Sequence, residues 1–209
     1  MASSVLYRIF EWITRFAYMN LLWILFTLAG GILFGFFPST LVMFAITRDW
    51  LRGKTDTPLF PSFLSYYKKD FWKANRLGFI IITTGSLAGF NLWFTQAGFD
   101  VLTWAHVPLL AFLMIFLLFL LYLFPAFVHF DLNVRQLIKQ ALLIMLVNPL
   151  HTVLMILCLA SLYFITQLAP ALAFIFGGSS AAFIIMWLCL HAFNRIQRKQ
   201  AKQKALSPD

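Results

Sequence analysis

The sequence predicts an all-α, polytopic membrane fold: five full transmembrane helices, a short sixth membrane helix that opens on a proline, and amphipathic helices on the cytoplasmic side. Three observations carry this. The chain is 62% hydrophobic and only 11% charged, whereas a soluble domain is about half apolar and about a quarter charged. Its apolar runs reach the roughly 20 residues that a spanning helix needs. Its lysines and arginines gather at the ends of those runs, where the positive-inside bias and anionic headgroups favour them. No soluble domain of useful size remains once the runs are removed. The net charge of +9 would suggest nucleic acid in a soluble chain. Here it reads as a topological signal, and no nucleic-acid binding is expected.

The elements follow in order. Residues 5–18 form an amphipathic helix suited to the interface. Arg8, Glu11 and Arg15 share one face, and Leu6, Ile9, Phe10, Ile13 and Phe16 are apolar. The first span is 20–37. It lies in an uncharged run from Phe16 to Thr47 that is too long for one upright crossing and has Pro38 near its middle. The chain either crosses once here or turns at Phe37–Pro38 and returns. A return places all sixteen basic residues on one side. Its cost is a short helix at 39–51, about 20 Å long against a hydrocarbon core of roughly 30 Å. Snorkelling by Arg48 and Arg52 and local thinning of the bilayer make that tolerable, and proline suits the first turn of a helix. The return is the favoured reading.

A basic and aromatic cytoplasmic segment occupies 52–76, with a turn-rich stretch from Gly53 to Pro58 and a helix from Pro61. Spans follow at 77–93, 105–128, 142–166 and 171–193, and 194–209 is a basic cytoplasmic tail. Lys and Arg number two in the N-terminal helix, seven in 48–76, two in 129–141 and five in the tail, with none in 94–104 or 167–170. Both termini are therefore expected in the cytoplasm and the chain in the cell membrane. A cleavable signal peptide is not expected, because the first apolar run is longer than an h-region and lacks a small-x-small site.

Chemistry-bearing motifs are sparse. No Asp, Glu, Lys or Arg lies in the middle of the five main spans, which argues against a proton or ion relay. His106, His129, His151 and His191 have no metal-ligand spacing, and Cys158 and Cys189 form no CxxC pair. "GGSSA" at 177–181 is not GxSxG, and there is no phosphate-binding glycine loop. No catalytic residue, cofactor or metal is expected. Two GxxxG pairs, Gly31/Gly35 and Gly85/Gly89, are candidates for helix packing. Asn91, Asn148 and His151 are neutral polar groups inside spans, and they support an alternative reading as a small transporter or channel for a neutral solute.

The most informative stretch is Thr47 to Gly78. Phe63, Tyr67, Phe71 and Ala74 recur at helical spacing, Lys69, Lys73 and Arg76 take another face, and Trp50, Tyr66 and Trp72 add amphipathic rings. This reads both as an interfacial helix and as a docking surface for a cytoplasmic partner, and the two are compatible. "MNLLWILFTLAGGILFGFFPSTLVMFAITRDWLRG", followed by "PLFPSFLSYYKKDFWKANRLG", resembles the YesL (DUF624) family of bacterial membrane proteins. That family has a Phe-Pro-Ala-Thr-like element, an Arg-x-Trp pair and a Tyr-Lys-x-x-Phe-x-x-Ala-Asn string. The matching positions include Pro38, Arg48, Trp50, Tyr67, Lys68, Phe71, Lys73 and Asn75, and with Arg52 these are the candidate interaction or motif residues. Ser39 stands where alanine is common. The specific match covers about residues 18–80.

The resemblance implies a context and no catalytic residues. Genes of this family often neighbour sugar-uptake transporters, carbohydrate-degrading enzymes and two-component sensors. The expected function is a non-enzymatic accessory or regulatory membrane protein of carbohydrate uptake or sensing, in contact with the lipid bilayer and with a sugar transporter or sensor kinase complex. No EAA-type loop is present, so a core permease is not expected. The sequence does not define an oligomeric state.

Overall fold

The computed structural model describes the backbone of residues 2–96 and 106–206 and the side chains of 5–93 and 107–195. Among the described residues every regular element is helical: α1 (Ala2–Ala29), α2 (Leu33–Leu51), α3 (Leu59–Gln96), α4 (His106–His129), α5 (Val134–Val147), α6 (Pro149–Leu168) and α7 (Pro170–Leu206). The lysine-free turn expected at 94–104 falls mostly outside these residues.

Several boundaries differ from the sequence reading. The chain does turn and return after the first membrane helix, but at Gly30–Ile32 and not at Phe37–Pro38. Gly31 has φ +73° and Ile32 φ +62°, the left-handed region that reverses a chain within two or three residues. The Ile32 amide donates to the Thr27 carbonyl at 2.9 Å and closes the turn. Nothing breaks the helix between Val5 and Ala29, so the amphipathic segment and the start of the first span form one helix. Pro38 lies inside α2, sixth in the helix. Its missing N–H forgoes the single bond that Phe34 would have accepted. The returning helix is thus 19 residues long, about 28 Å and close to the hydrocarbon thickness.

Two more boundaries move. The cytoplasmic helix and the span at 77–93 merge into α3, 38 residues long. The span at 142–166 is instead broken at Asn148–Pro149, where proline has no amide to continue α5 but is well placed to start α6. At the break Asn148 is buried, although Val147 and Pro149 on either side are exposed, and the Asn148 polar groups are satisfied. The Asn148 side chain donates to the Ile144 carbonyl at 3.0 Å. The Asn148 carbonyl accepts from the Thr152 and Tyr122 hydroxyls, which lie 2.9 Å apart. Non-helical backbone within apolar surroundings needs hydrogen-bond partners of this kind from the protein.

Among the described residues four helices are long and apolar enough to cross a membrane: Val5–Ala29, Val107–His129, Pro149–Leu168 and Pro170–Arg195. The expected spans at 39–51 and 77–93 are not among them. Arg48 and Asp49 lower the hydropathy of α2, and Thr83, Thr84, Ser86 and Asn91 lower that of α3.

α2 is the hub, packing against α1, α3, α4 and α7. It is buried almost all round, with Leu41, Val42, Met43, Phe44, Ala45, Ile46 and Thr47 in one unbroken run. α1 runs antiparallel to it: Trp12 meets Trp50 edge-on at 5.5 Å, and Trp23 Nε1 donates to Thr40 Oγ1 at 3.0 Å. α4 runs parallel, with Phe44 stacked on Phe124 at 5.8 Å. α3 is antiparallel, and Phe37 covers Gly78 so closely that no Cβ fits there. α7 closes the bundle. Asn20 of α1 donates to the Phe174 carbonyl at 2.7 Å and accepts the Ser179 amide at 3.3 Å. A Cβ on Gly178 would lie 2.8 Å from the Asn20 oxygen, so a larger residue there would push the Asn20 side chain off its bonds to α7.

Candidate functional site

The C-terminal turn of α2 delivers Arg48, Asp49 and Trp50 to one end of the bundle, where they knot three helices together. Arg48 Nη2 and Nε donate to Asp49 Oδ1 at 2.9 and 3.1 Å, and Arg48 Nη1 donates to the Val128 carbonyl at the end of α4. Asp49 Oδ2 accepts the Tyr66 hydroxyl of α3 at 2.6 Å. Burial first, and then this bond to a carboxylate, push the Tyr66 pKa up from its ordinary value. Arg52, the C-cap of α2, sits 3.3 Å from His129 Nδ1. Two arginines of α2 thus face the last turn of α4, where the helix dipole and unpaired carbonyls favour cations.

Beside the knot, Lys73 of α3 reaches Asp131 at 3.5 Å and lies over the Phe127 ring at 5.2 Å. Lys69, Asp70, Lys73, His129 and Asp131 border a cavity of about 200 Å³ that opens onto Arg48 and Tyr66. Arg15 ties α1 to the same end, donating to the Thr55 carbonyl at 2.7 Å. The arrangement is a latch of charge-assisted bonds. Among the described residues no group of three or more His, Cys, Asp or Glu is placed to hold a metal ion.

The sequence-predicted residues divide between this latch, the core and the surface. Arg48 and Arg52 are in the latch, and Lys73 borders it. Trp50 is buried against Trp12 and Phe16, and Pro38 is buried within α2. Tyr67 donates to the Phe26 carbonyl at 3.3 Å beside the Gly30 turn and packs on Phe71. Asn75 caps inward, donating to the Phe71 carbonyl of its own helix at 2.9 Å. Lys68 is exposed. Of the glycines, Gly31 forms the turn, and Gly35 meets the Thr27 carbonyl too closely for any side chain. Among the described residues Gly85 has only Phe116 near it, at 3.6 Å from where a Cβ would be, and Gly89 has nothing within 4 Å. Asn91 is exposed and donates to the Leu87 carbonyl, whereas Asn148 is committed to the α5–α6 break. His151 Nδ1 is buried without a hydrogen-bond partner among the described residues.

Sequence reasoning missed Asp49, and it treated Tyr66 as an interfacial ring and His129 as an unremarkable one. An acidic residue beside Arg48 at the end of an apolar run was the available signal for Asp49. The Val128 carbonyl gave none.

Fold and site together define a class: a multi-pass helical membrane protein whose basic, aromatic end is locked by charge-assisted bonds. The sequence profile of the family described as "Protein of unknown function, DUF624" matches residues 16–92, which carry the second half of α1, all of α2, most of α3 and the Arg48–Asp49–Tyr66 bonds. Three Bacillus subtilis (strain 168) proteins are similar over almost the whole chain. Uncharacterized protein YesL is 36% identical over 200 residues, 93% of this chain and 92% of its own. Uncharacterized protein YesV is 34% identical over 197 residues, 93% and 94% of the two chains. Uncharacterized protein YteU is 31% identical over 209 residues, 97% and 94%. No solved structure matches the chain. The chain belongs to the YesL (DUF624) family.

Proposed function

We propose that this is a non-enzymatic accessory or regulatory protein of the bacterial cell membrane that contacts a protein partner through the exposed face of α3. The observation that carries the reading is a stripe at helical spacing: Ser65, Lys68, Trp72 and Phe79 are all exposed, Trp72 at 79% and Phe79 at 72%. Large aromatics beside cations at a membrane end suit a partner with an acidic juxtamembrane surface. The latch supports this reading by holding the first half of α3 rigidly against α2 and α4. An association with carbohydrate uptake or sensing, through a transporter or sensor kinase, rests on the family resemblance.

The topology that accompanies the proposal has five full spans in α1, α3, α4, α6 and α7, with α2 as the returning sixth. α5 lies shallowly at the cytoplasmic side, and both termini are cytoplasmic. The length of α2 supports the return, and so does the positive-inside bias, because the latch gathers basic residues from α2 and α3 at one end.

Photocrosslinking in native membranes tests the contact. A photoreactive residue in place of Trp72 is expected to capture a discrete protein. One in place of Trp50, which is buried, is expected to capture none. Lipid adducts alone from position 72 would overturn the proposal. The alternative, transport of a neutral solute, is tested separately by flux in proteoliposomes.

A further inference from the structure

A second cavity, of about 560 Å³, lies between α3 and the first turn of α5. Lys73, Arg76, Asn133, Arg135 and Gln136 line it, together with the apolar Ile80. Three of these residues are cations and none is acidic. Asp131 reaches only Lys73, at 3.5 Å. Arg76 and Arg135 are exposed, and among the described residues no carboxylate pairs with either. Like charges held near one another on two helices cost energy unless an anion lies between them. The backbone adds to this field, because Asn133 gives no side-chain cap to α5 and leaves first-turn amides at the same opening.

The cavity is also polarised along its length. From the cations, α3 continues through Ile80 to Phe79 and Ile82, which are exposed apolar residues, and α5 presents exposed Leu142, Leu143 and Leu146. Its depth matches the end of α4, since Lys73 lies over Phe127. Cations above and apolar surface below, at the end of an apolar helix, fit an amphiphile whose phosphate sits at headgroup level. A soluble anion would have no use for the apolar lower wall.

We propose that this cavity binds the phosphate headgroup of an anionic phospholipid, with Arg76, Arg135 and Lys73 on the phosphate oxygens and the acyl chains along Ile80 and the exposed leucines of α5. Guanidinium groups suit this role because they donate two parallel bonds to phosphate. The site borders the Trp72 stripe at Phe79, but its cations lie outside that stripe and it does not depend on a protein partner.

Native mass spectrometry and thermal unfolding of the full chain in detergent test it. Phosphatidylglycerol is expected to stay bound and to raise the unfolding midpoint, whereas phosphatidylcholine is not. R76Q/R135Q is expected to weaken phosphatidylglycerol binding by about 30-fold. K54Q, a change to an exposed lysine between α2 and α3 and outside the cavity, is expected to leave it unchanged. Three results would overturn the proposal: equal retention of the two lipids by the native chain, undiminished phosphatidylglycerol binding by R76Q/R135Q, or the same stabilisation from millimolar inorganic phosphate.

Discussion

α2 and α6 are nearly equal in length, 19 and 20 residues, yet they invert the relation between hydropathy and burial. α6 qualifies as a membrane span by composition, but of its side chains only Thr152 and Met155 are buried. α2 carries Arg48, Asp49 and a proline and does not qualify, yet twelve of its residues are buried. The comparison teaches that hydropathy records what a helix shows to lipid. A helix enclosed by other helices needs shape and satisfied polar groups more than it needs apolar character, because lipid is as apolar as leucine and gives no drive toward the centre. Close approach at Gly35 and at Gly178, and the burial of Ser39 and Thr47, are features of that kind.

Truncation at the two helices separates them most sharply. Phe44→Ala removes a buried ring stacked on Phe124 and is expected to destabilise the fold by about 2–4 kcal/mol. Leu157→Ala on α6, where the side chain is 58% exposed, is expected to cost less than about 0.5 kcal/mol. Thermal unfolding in one detergent compares the two, and equal losses would break the contrast. Next in size is Tyr66→Phe, which removes the hydroxyl from Asp49 and is expected to cost about 1.5–3 kcal/mol, the range for a bond to a charged group. Asn20→Ala should cost about 1–2 kcal/mol by freeing α7 from α1, and limited proteolysis should then cut α7 sooner than α4.

The smallest effect is on pH dependence. The native pKa of Tyr66 is raised above its ordinary value of 10.0. The protonated hydroxyl is the form that Asp49 holds, so its contribution to stability is complete below the ordinary value. It is lost as pH rises through the higher native value. Ultraviolet titration should show Tyr66 among the late-ionising tyrosines, together with Tyr67, which burial also raises, and Tyr66→Phe should reduce the amplitude of the late step by one tyrosine.

Much of this architecture could be read from the residues, and the failures have physical causes. The return of the chain after the first span followed from charge placement. Its position did not, because Pro38 is a conspicuous breaker and Gly31 looked like a packing residue paired with Gly35. The turn combines left-handed backbone at Gly31 and Ile32 with a backbone approach between Gly30 and Gly35 too close for any side chain, and residue types alone do not announce that approach. Asn148–Pro149 was a local turn signal hidden inside an apolar run, and run length overrode it. α3 looked like two elements because its surroundings change from polar to apolar, although nothing in its backbone interrupts it. The latch was half legible: Arg48 and Arg52 stood out by charge, but an arginine's partner can be a carbonyl on a helix eighty residues away, and main-chain acceptors have no letter in the sequence.

The central place of α2 bears on the order in which the protein is made. α2 leaves the ribosome second, but three of its walls, α3, α4 and α7, come later, and α7 begins only at Pro170. Until then the Met43 side of α2, which contacts Gly178, has no protein against it, and Arg48 lacks the Val128 carbonyl until α4 is complete. Assembly therefore ends, as it must, with the last helix inserted. A chain cut short before Pro170 would keep most of its hydropathy and still present an open seam, the kind of surface by which membrane quality control distinguishes an orphan from a finished protein.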